Sequence, residues 1–211
     1  MSFDNTTFPY YPMLQGVKKD IIDPVSVVSN GTYEYRVKRS RYERYAWTVP
    51  TQTMKEAQKE AMRTFLAQRN HGLDSFKYTD PALPAFVDAV MPSSTLRDGT
   101  AGNTEWDVFL PFDASNYGTT HPLSNIDNTG WTVTKNGAPT SFTTFTTAGT
   151  PSTFTIAGTV PSDVIRVTGP ITFTVRLDSA FQETLIALDT TNGPLGHTVT
   201  AIKLLEVLGE S

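Results

Sequence analysis

Residue types that commonly carry chemistry are sparse and scattered in this chain. Its 211 residues contain no cysteine and three histidines, His71, His121 and His197, each alone in the sequence. No metalloprotease HExxH motif, nucleophile elbow or phosphate-binding loop is present. His71 directly precedes Gly72 and is most simply a helix-end residue. The sequence therefore predicts a protein that is not an enzyme and that needs no cofactor.

Two groups of oxygen-bearing side chains come closest to forming a site. Asp98, Asn103 and Glu105 offer ligands for Ca²⁺, but their spacing differs from that of a calcium-binding loop. Asp178 and Glu183 have the chemistry of general acids, yet nothing in the sequence pairs them. We therefore predict no metal site and no catalytic residue.

The composition favours a mainly β protein with one principal α-helix. Apolar residues make up 38% of the chain and charged residues 18%, both below globular averages, and threonine, glycine and proline fill the difference. The length fits one domain over residues 1–211. The N-terminus has no signal-peptide pattern, and no apolar run is long enough to span a bilayer. We expect a soluble protein without a membrane partner.

One segment has the periodicity of an amphipathic helix, predicted from about Met54 to Asn70. Its predicted buried stripe consists of Met54, Ala57, Ala61, Phe65, Met62 and Leu66. The opposite, polar face consists of Lys55, Glu56, Lys59, Glu60 and Arg63. Spacings of three and four place each set on one side of a helix, so the apolar side is expected to pack on a sheet.

Alternation of apolar and polar residues predicts strands on both sides of this helix. Residues 33–37 and 45–49 alternate across a short polar turn, which predicts a β-hairpin. A short strand at 76–78 follows the helix and is expected to return beside that hairpin, giving ββαβ, with the helix on the sheet that contains Trp47. Further strands are predicted at 106–112, 171–177 and 201–208.

Residues 113–163 are rich in threonine and form a β insertion within the predicted single domain. Asn136 and Gly137 match a type I′ turn between residues 131–134 and 140–142. Phenylalanines at 142, 145 and 154 give these strands small inward faces. The stretch is therefore predicted to be ordered rather than a disordered linker.

Two features indicate surfaces for self-association. Phe8, Tyr10 and Tyr11 lie in an extended, proline-rich arm that either covers its own core or crosses to a neighbour. Residues 1–80 hold 12 Lys+Arg and 9 Asp+Glu, whereas residues 81–211 hold 5 and 12. Such asymmetry either marks subunits that meet head to tail or reflects two solvated halves that differ in composition. Arg39 and Arg41 belong to the basic part, and a solvated turn explains them better than a nucleic-acid site.

Several segments together resemble a tail-protein family of long-tailed bacteriophages and gene transfer agents, which includes distal tail proteins. The N-terminal match comprises Phe8-Pro9 with Pro12 and Gly16, Tyr33 to Arg36, Arg44 to Val49, Phe65 to Arg69 with Gly72, and Phe76 to Pro81. The C-terminal match comprises Phe173 to Asp178 and Ile202 to Glu206. The matches cover about half of the chain and leave out residues 113–163.

This resemblance implies a tail-tube-like β-sandwich or barrel with one flanking helix. It implies a structural virion protein without catalysis, assembled in the host bacterial cytoplasm as a hexameric ring at the distal end of the tail tube. Its implied partners are copies of itself, the tail-tube protein and the tail hub or tip proteins, with DNA only as passing cargo. The interface candidates are then Phe8, Tyr10, Tyr11, Arg39 and Arg41.

Two alternatives stay open. A tail terminator or tail-tube subunit would have the same fold and differ by its position and stacking. A carbohydrate-binding module would use Trp106, Tyr117 and Trp131 as stacking faces, although a buried core role suits both tryptophans better.

Overall fold

A computed structural model describes ten ranges of the chain: 3–9, 17–22, 25–29, 34–38, 44–49, 53–54, 56–69, 74–93, 105–110 and 121–208, the last with gaps at 148, 179–182, 190–192 and 200–201. Backbone contacts divide the chain into two compact units. The first unit comprises Met1–Lys77 and Val175–Val207, and the second comprises Tyr78–Thr174 with Leu208–Ser211. Each unit has sheets of its own.

The described chain is mainly β with a single α-helix, as the composition predicts. The first strands and the helix are β1 Phe3–Thr7, β2 Lys18–Ile22, β3 Val25–Ser29, β4 Glu34–Lys38, β5 Arg44–Val49, β6 Thr53–Met54, α1 Glu56–Ala67 and β7 Ser75–Tyr78. The next are β8 Ala85–Met91, β9 Glu105–Asp107, β10 Phe109–Leu110, β11 His121–Pro122, β12 Thr132–Lys135, β13 Ala138–Thr140, β14 Thr144–Thr146 and β15 Thr153–Thr155. The last are β16 Ile165–Pro170, β17 Phe173–Leu177, β18 Glu183–Asp189, β19 Gly193–Val199 and β20 Ile202–Glu206.

A six-stranded sheet in the order β1-β7-β17-β20-β5-β2 forms the centre of the first unit. Strand β20, from the end of the chain, lies between β17 and β5 and places Leu204 opposite Trp47. Both side chains are fully buried. The carboxylate of Glu206 is also buried and accepts a hydrogen bond from the backbone N–H of Tyr45 at 2.9 Å. Residues far apart in sequence therefore hold this core together.

The predicted hairpin between residues 33–37 and 45–49 is wrong in its pairing. Strand β5 pairs with β2, where Lys18 lies opposite Thr48, and β4 pairs with β3, where Val25 lies opposite Lys38. The short strand β7 is also not beside β5, because β17 and β20 lie between them in the sheet. Alternation identifies a strand but not its partner, since many strands offer a compatible apolar face.

Helix α1 is shorter than predicted, and it buries Met62, Phe65 and Leu66 of the predicted stripe but not its alanines. Residues 53–54 form β6, which pairs with β19, so the helix begins at Glu56. Lys59, Met62, Phe65 and Leu66 are buried, whereas the predicted core positions Ala57 and Ala61 are exposed. The helix turns its largest apolar side chains inward because an alanine buries little surface. Lys59 buries its aliphatic stem as well, and its Nζ lies 3.5 Å from a carboxylate oxygen of Glu60.

The second unit is built from a four-stranded sheet in the order β13-β12-β16-β8, a three-stranded sheet β14-β15-β9 and the pair β10-β11. Its core includes Trp106, Phe154, Ile165 and Val167. Gly169 is required by close packing, because a Cβ there would lie 2.2 Å from Cδ1 of the Trp131 ring. The type I′ turn is confirmed, since Asn136 and Gly137 have φ values of 51° and 84°.

The predicted alternation across residues 106–112 is wrong for the part that the structure describes. Trp106, Asp107, Val108, Phe109 and Leu110 are all buried. Strands β9 and β10 are separated at Val108, whose N–H donates to the carbonyl of Ser152 at 2.9 Å. Both sides of this segment are covered, so it has no solvent face for polar residues to occupy.

The threonine-rich stretch 113–163 is ordered where the structure describes it, and its strands pair beyond its predicted limits. Strand β12 pairs with β16, and β15 pairs with β9, both partners lying outside 113–163. The contact-defined second unit accordingly begins at Tyr78 and ends its main segment at Thr174. The single domain over residues 1–211 stays a prediction.

Candidate functional site

In the described part of the chain, the side chains that could act in catalysis or bind a metal are not assembled into a site. His121 is buried in β11, Glu105 begins β9, and Asp178 is exposed after β17. Among the described residues, no group of three or more histidines and carboxylates is arranged to hold a metal ion. Asp98, Asn103 and His71 lie outside the described residues, so their predictions stay predictions.

Trp106 and Trp131, the two tryptophans considered for sugar stacking, both belong to the core of the second unit, as the sequence favoured. Trp106 donates from its indole N–H to the hydroxyl of Thr159 at 3.3 Å. Trp131 donates to the carbonyl of Pro170 at 2.9 Å, and its ring meets Phe86 edge-on with 5.4 Å between centroids. Neither ring offers an open face for a sugar to stack on. Tyr117, the third proposed stacking residue, lies outside the described residues.

The N-terminal arm contributes Phe8 to the core of its own chain. Phe8 is 3% exposed, and its ring centroid lies 5.7 Å from that of Phe65 and 5.8 Å from that of Phe76. Its N–H donates to the carbonyl of Lys77, which extends the parallel pairing of β1 and β7. The ring of Phe8 is thus covered within the chain and is not the exposed anchor that an interface needs. This contact favours the covering alternative for this part of the arm, and the role of Phe8 in an interface stays a prediction.

The remaining interface candidates, Tyr10, Tyr11, Arg39 and Arg41, lie outside the described residues. Their role in assembly stays a prediction.

An open groove of about 600 Å³ lies between the N-terminal segment and α1 in the first unit. Its lining residues are Thr6, Thr7, Pro9, Glu60, Ala61, Thr64, Phe65, Gln68 and Arg69. Arg69 forms part of its buried wall: the guanidinium lies 3.6 Å from the centroid of the Phe65 ring and donates to the Phe65 carbonyl at 2.7 Å. These contacts hold the Arg69 side chain, which follows the end of α1, against Phe65 and so fix this wall of the groove.

In the six-stranded sheet of the first unit, the β2 edge, which lies opposite β1, carries exposed aliphatic side chains. Ile21 is 57% exposed and Ile22 is 40% exposed, side by side at the end of the outer strand β2. On the same strand, Lys19 places its Nζ 3.7 Å from the centroid of the Tyr45 ring, and Lys18 pairs with Asp20 at 3.0 Å. Sequence reasoning missed this strand because Lys18 to Ile22 lacks alternation.

A second aliphatic surface lies on the edge strand β8 of the second unit. Val87 is 83% exposed beside Asp88, which has a φ of 51° at an irregularity in the pairing with β16. Arg166 donates to both the carbonyl and the carboxylate of Asp88, and the N–H of Asp88 donates to the hydroxyl of Thr168. A fixed bulge of this kind disturbs the edge and opposes strand addition there.

Comparisons with protein-family models and with curated proteins found no match to this chain. None of the helical segments that the structure describes has the length and apolar character needed to span a bilayer. The surfaces of interest in the described chain are therefore the two edges of the six-stranded sheet and the groove beside α1.

Proposed function

We propose that this chain is a structural protein of a long-tailed bacteriophage virion, forming a ring at the distal end of the tail tube. In this role, the ring, hexameric in the family that the sequence resembles, connects the tube to the tail tip or baseplate. Its partners are copies of itself, the tail-tube protein and the hub or tip proteins, and DNA passes through as cargo. The finer fold that accompanies this role is the tail-tube-like sandwich or barrel with one flanking helix.

One observation carries the proposal: segments that resemble the tail family at opposite ends of the chain are neighbours in one sheet. The four inner strands, in the order β7-β17-β20-β5, all come from these segments. The N-terminal match supplies β5 and β7, and the C-terminal match supplies β17 and β20. Two matches that are separate in the sequence thus contribute neighbouring strands to one sheet, and this neighbourhood supports the proposal.

The stretch of the chain that lacks the family resemblance falls within one of the two units. Residues 113–163, which match nothing in the family pattern, fall within the second unit. An additional unit can vary between relatives without changing the sheet that the matched segments build. The resemblance is therefore concentrated where a ring-forming unit is expected.

The open sheet also suits an assembly protein. Strands β1 and β2 are its outermost strands, and among the described strands each has a neighbour in this sheet on one side only. Outer strands present backbone groups that can pair with another chain. Strands β3 and β4 form a separate two-stranded sheet, an arrangement that is marginally stable in water without further packing.

Native mass spectrometry with negative-stain electron microscopy tests the proposal. We expect a species of six times 23.2 kDa that appears as a ring with a central channel. Stacked rings would instead favour the tail-tube subunit. A monomer at every soluble concentration, with binding to polysaccharide, would contradict the proposal and favour a carbohydrate-binding module.

A further inference from the structure

The turn between β12 and β13 carries an Asn-Gly pair, the sequence in which asparagine loses its side-chain amide most readily. In this reaction the backbone nitrogen of the glycine bonds to Cγ of the asparagine, and ammonia leaves. Water then opens the resulting cyclic imide to aspartate or isoaspartate. Glycine favours the first step because it has no side chain to crowd the attacking nitrogen. Gly137 is exposed, and apart from its chain neighbours no heavy atom lies within 4 Å of the position a Cβ would take.

The side chain of Asn136 is held by the segment that leads into β16. Its Nδ2 donates to Oδ1 of Asp163 at 2.8 Å, and its Oδ1 accepts from the N–H of Val164 at 2.8 Å. The Asn136 N–H donates in turn to the Val164 carbonyl at 2.8 Å. Imide formation expels the Nδ2 that Asp163 holds and turns Cγ toward Gly137. The reaction therefore proceeds only after the side chain has left these two hydrogen bonds.

The carboxylate of Asp163 is itself fixed by contacts other than the one with Asn136. Its Oδ2 accepts from the Val160 N–H at 2.8 Å and lies 3.2 Å from Nζ of Lys135. The same Nζ donates to the carbonyl of Gly158, and 11% of the Asp163 side chain is exposed. These contacts make Asp163 a preformed acceptor for the Asn136 amide.

We propose that Asn136 is a latent deamidation site, which the folded second unit keeps closed and which opening of the β12-β13 turn exposes to irreversible conversion. Because opening is fast compared with deamidation, the rate of conversion follows the population of the open form. An aspartate at position 136 has no N–H to offer Asp163, so two carboxylates meet where an amide met a carboxylate. Isoaspartate also lengthens the backbone of the turn and opposes the pairing of Lys135 with Ala138. The site lies wholly in the second unit, so it does not depend on the proposed role in a tail.

Peptide mapping by mass spectrometry tests this site, and the chain supplies its own references. The sequence contains two further Asn-Gly pairs, Asn30-Gly31 and Asn192-Gly193. In guanidinium chloride at mildly alkaline pH, all three asparagines should convert at similar rates, since each precedes a glycine. In the folded protein at the same pH, Asn136 should convert about tenfold more slowly than in guanidinium chloride. Equal rates for Asn136 in the two conditions would overturn the closed site, and its failure to convert in guanidinium chloride would overturn its reactivity.

Removing the acceptor tests whether Asp163 keeps the site closed. Asp163→Ala should raise the rate of conversion of Asn136 severalfold in the folded protein, measured below the melting temperature of the variant. Asp127→Ala, which removes an exposed carboxylate of the same unit, should leave that rate unchanged. The same rate in wild type and Asp163→Ala would overturn the role of this carboxylate.

The product state gives a second readout, which does not require Asp163→Ala to fold. Asn136→Asp should lower the melting temperature at neutral pH, because it sets a second carboxylate against Asp163. Adding Asp163→Asn exchanges donor and acceptor, so the double variant should recover most of that loss. An Asn136→Asp protein as stable as wild type, or a double variant without recovery, would overturn the effect assigned to conversion.

Discussion

The two units of this chain differ in how their sequence is arranged. The first joins residues 1–77 to residues 175–207, and its central sheet places β20 between strands from distant parts of the chain. The second takes its main segment from one continuous stretch, Tyr78–Thr174, and all strands of its sheets come from that stretch. The first is also slightly basic, with 14 Lys+Arg against 12 Asp+Glu, and the second is acidic, with 3 against 9.

The same division separates two kinds of sequence. The segments with family resemblance build the first unit, and the threonine-rich stretch falls in the second. The charge asymmetry noticed in the sequence follows the same division, since the net charges are +2 and −6. A continuous unit can be gained or replaced without disturbing the strand order of the discontinuous one.

The largest expected effect comes from comparing two deletions, one of nearly the whole main segment of the second unit and one of only part of it. Replacing residues 79–172 by a flexible linker of about ten residues, which reaches roughly 17 Å, keeps β7 and β17 intact. We expect this protein to melt cooperatively by circular dichroism. Deleting only 113–163 takes β12 from β16 and β15 from β9, so we expect exposed apolar surface and dye binding.

An insertion over residues 113–163, as the sequence predicts, implies that the core tolerates the loss of these residues. Equal cooperativity of both deletion proteins would support that prediction and contradict the limits of the second unit given by the contacts. Failure of the 79–172 replacement to fold would show that the first unit depends on the second.

Truncating one buried ring in each unit has a smaller effect and sharpens the same comparison. Phe65 meets Phe76 at 5.1 Å in the first unit, and Phe154 meets Phe142 at 5.1 Å in the second. Phe65→Ala and Phe154→Ala should each lower the free energy of unfolding of their own unit by about 3–5 kcal/mol. Urea titrations followed by amide resonances of each unit measure the two effects separately.

The exposed substitution Thr64→Ala provides the control for Phe65→Ala and should stay within about 0.5 kcal/mol of wild type. An equal loss of stability in both units from either phenylalanine change would show that they unfold as one.

The smallest expected effect concerns acid sensitivity, which should be confined to the second unit. A hydrogen bond from the Val160 N–H, then one from the Asn136 side chain, lowers the pKa of Asp163 below its usual 3.8, and Lys135 lies 3.2 Å away. A lowered folded-state pKa gives stability above the unfolded pKa that is lost as pH falls through the folded pKa. Wild type should therefore exceed Asp163→Ala in melting temperature at pH 7.

That difference in melting temperature should shrink as the pH falls below about 4. An Asp127→Ala protein, which removes an exposed carboxylate of the same unit, gives the matched control for net charge. A difference between wild type and Asp163→Ala that is constant from pH 7 to pH 2 would show that the carboxylate acts through its shape alone.

The sequence by itself determined the kinds of local structure present. Alternation at 45–49 and 171–177, the Asn136-Gly137 pair and the periodicity around Phe65 each depend on neighbours in the chain, and each predicts an element that the structure contains. The mainly β class follows from the same local preferences, as composition favours strands over helices. Local chemistry is sufficient for these conclusions because backbone dihedrals and turns are set over a few residues.

Tertiary structure alone decided which elements meet. Strand β5 has β20 and β2 as neighbours, and Ala61 lines a groove instead of the core. Many apolar faces are compatible with each strand or helix, and the pairing that forms depends on how all of them pack together. The exposed edge at Ile21 and Ile22 had no local sign, since adjacent isoleucines are equally suited to a buried strand. Surfaces for assembly depend on what the rest of the chain leaves uncovered, and that is a property of the whole fold.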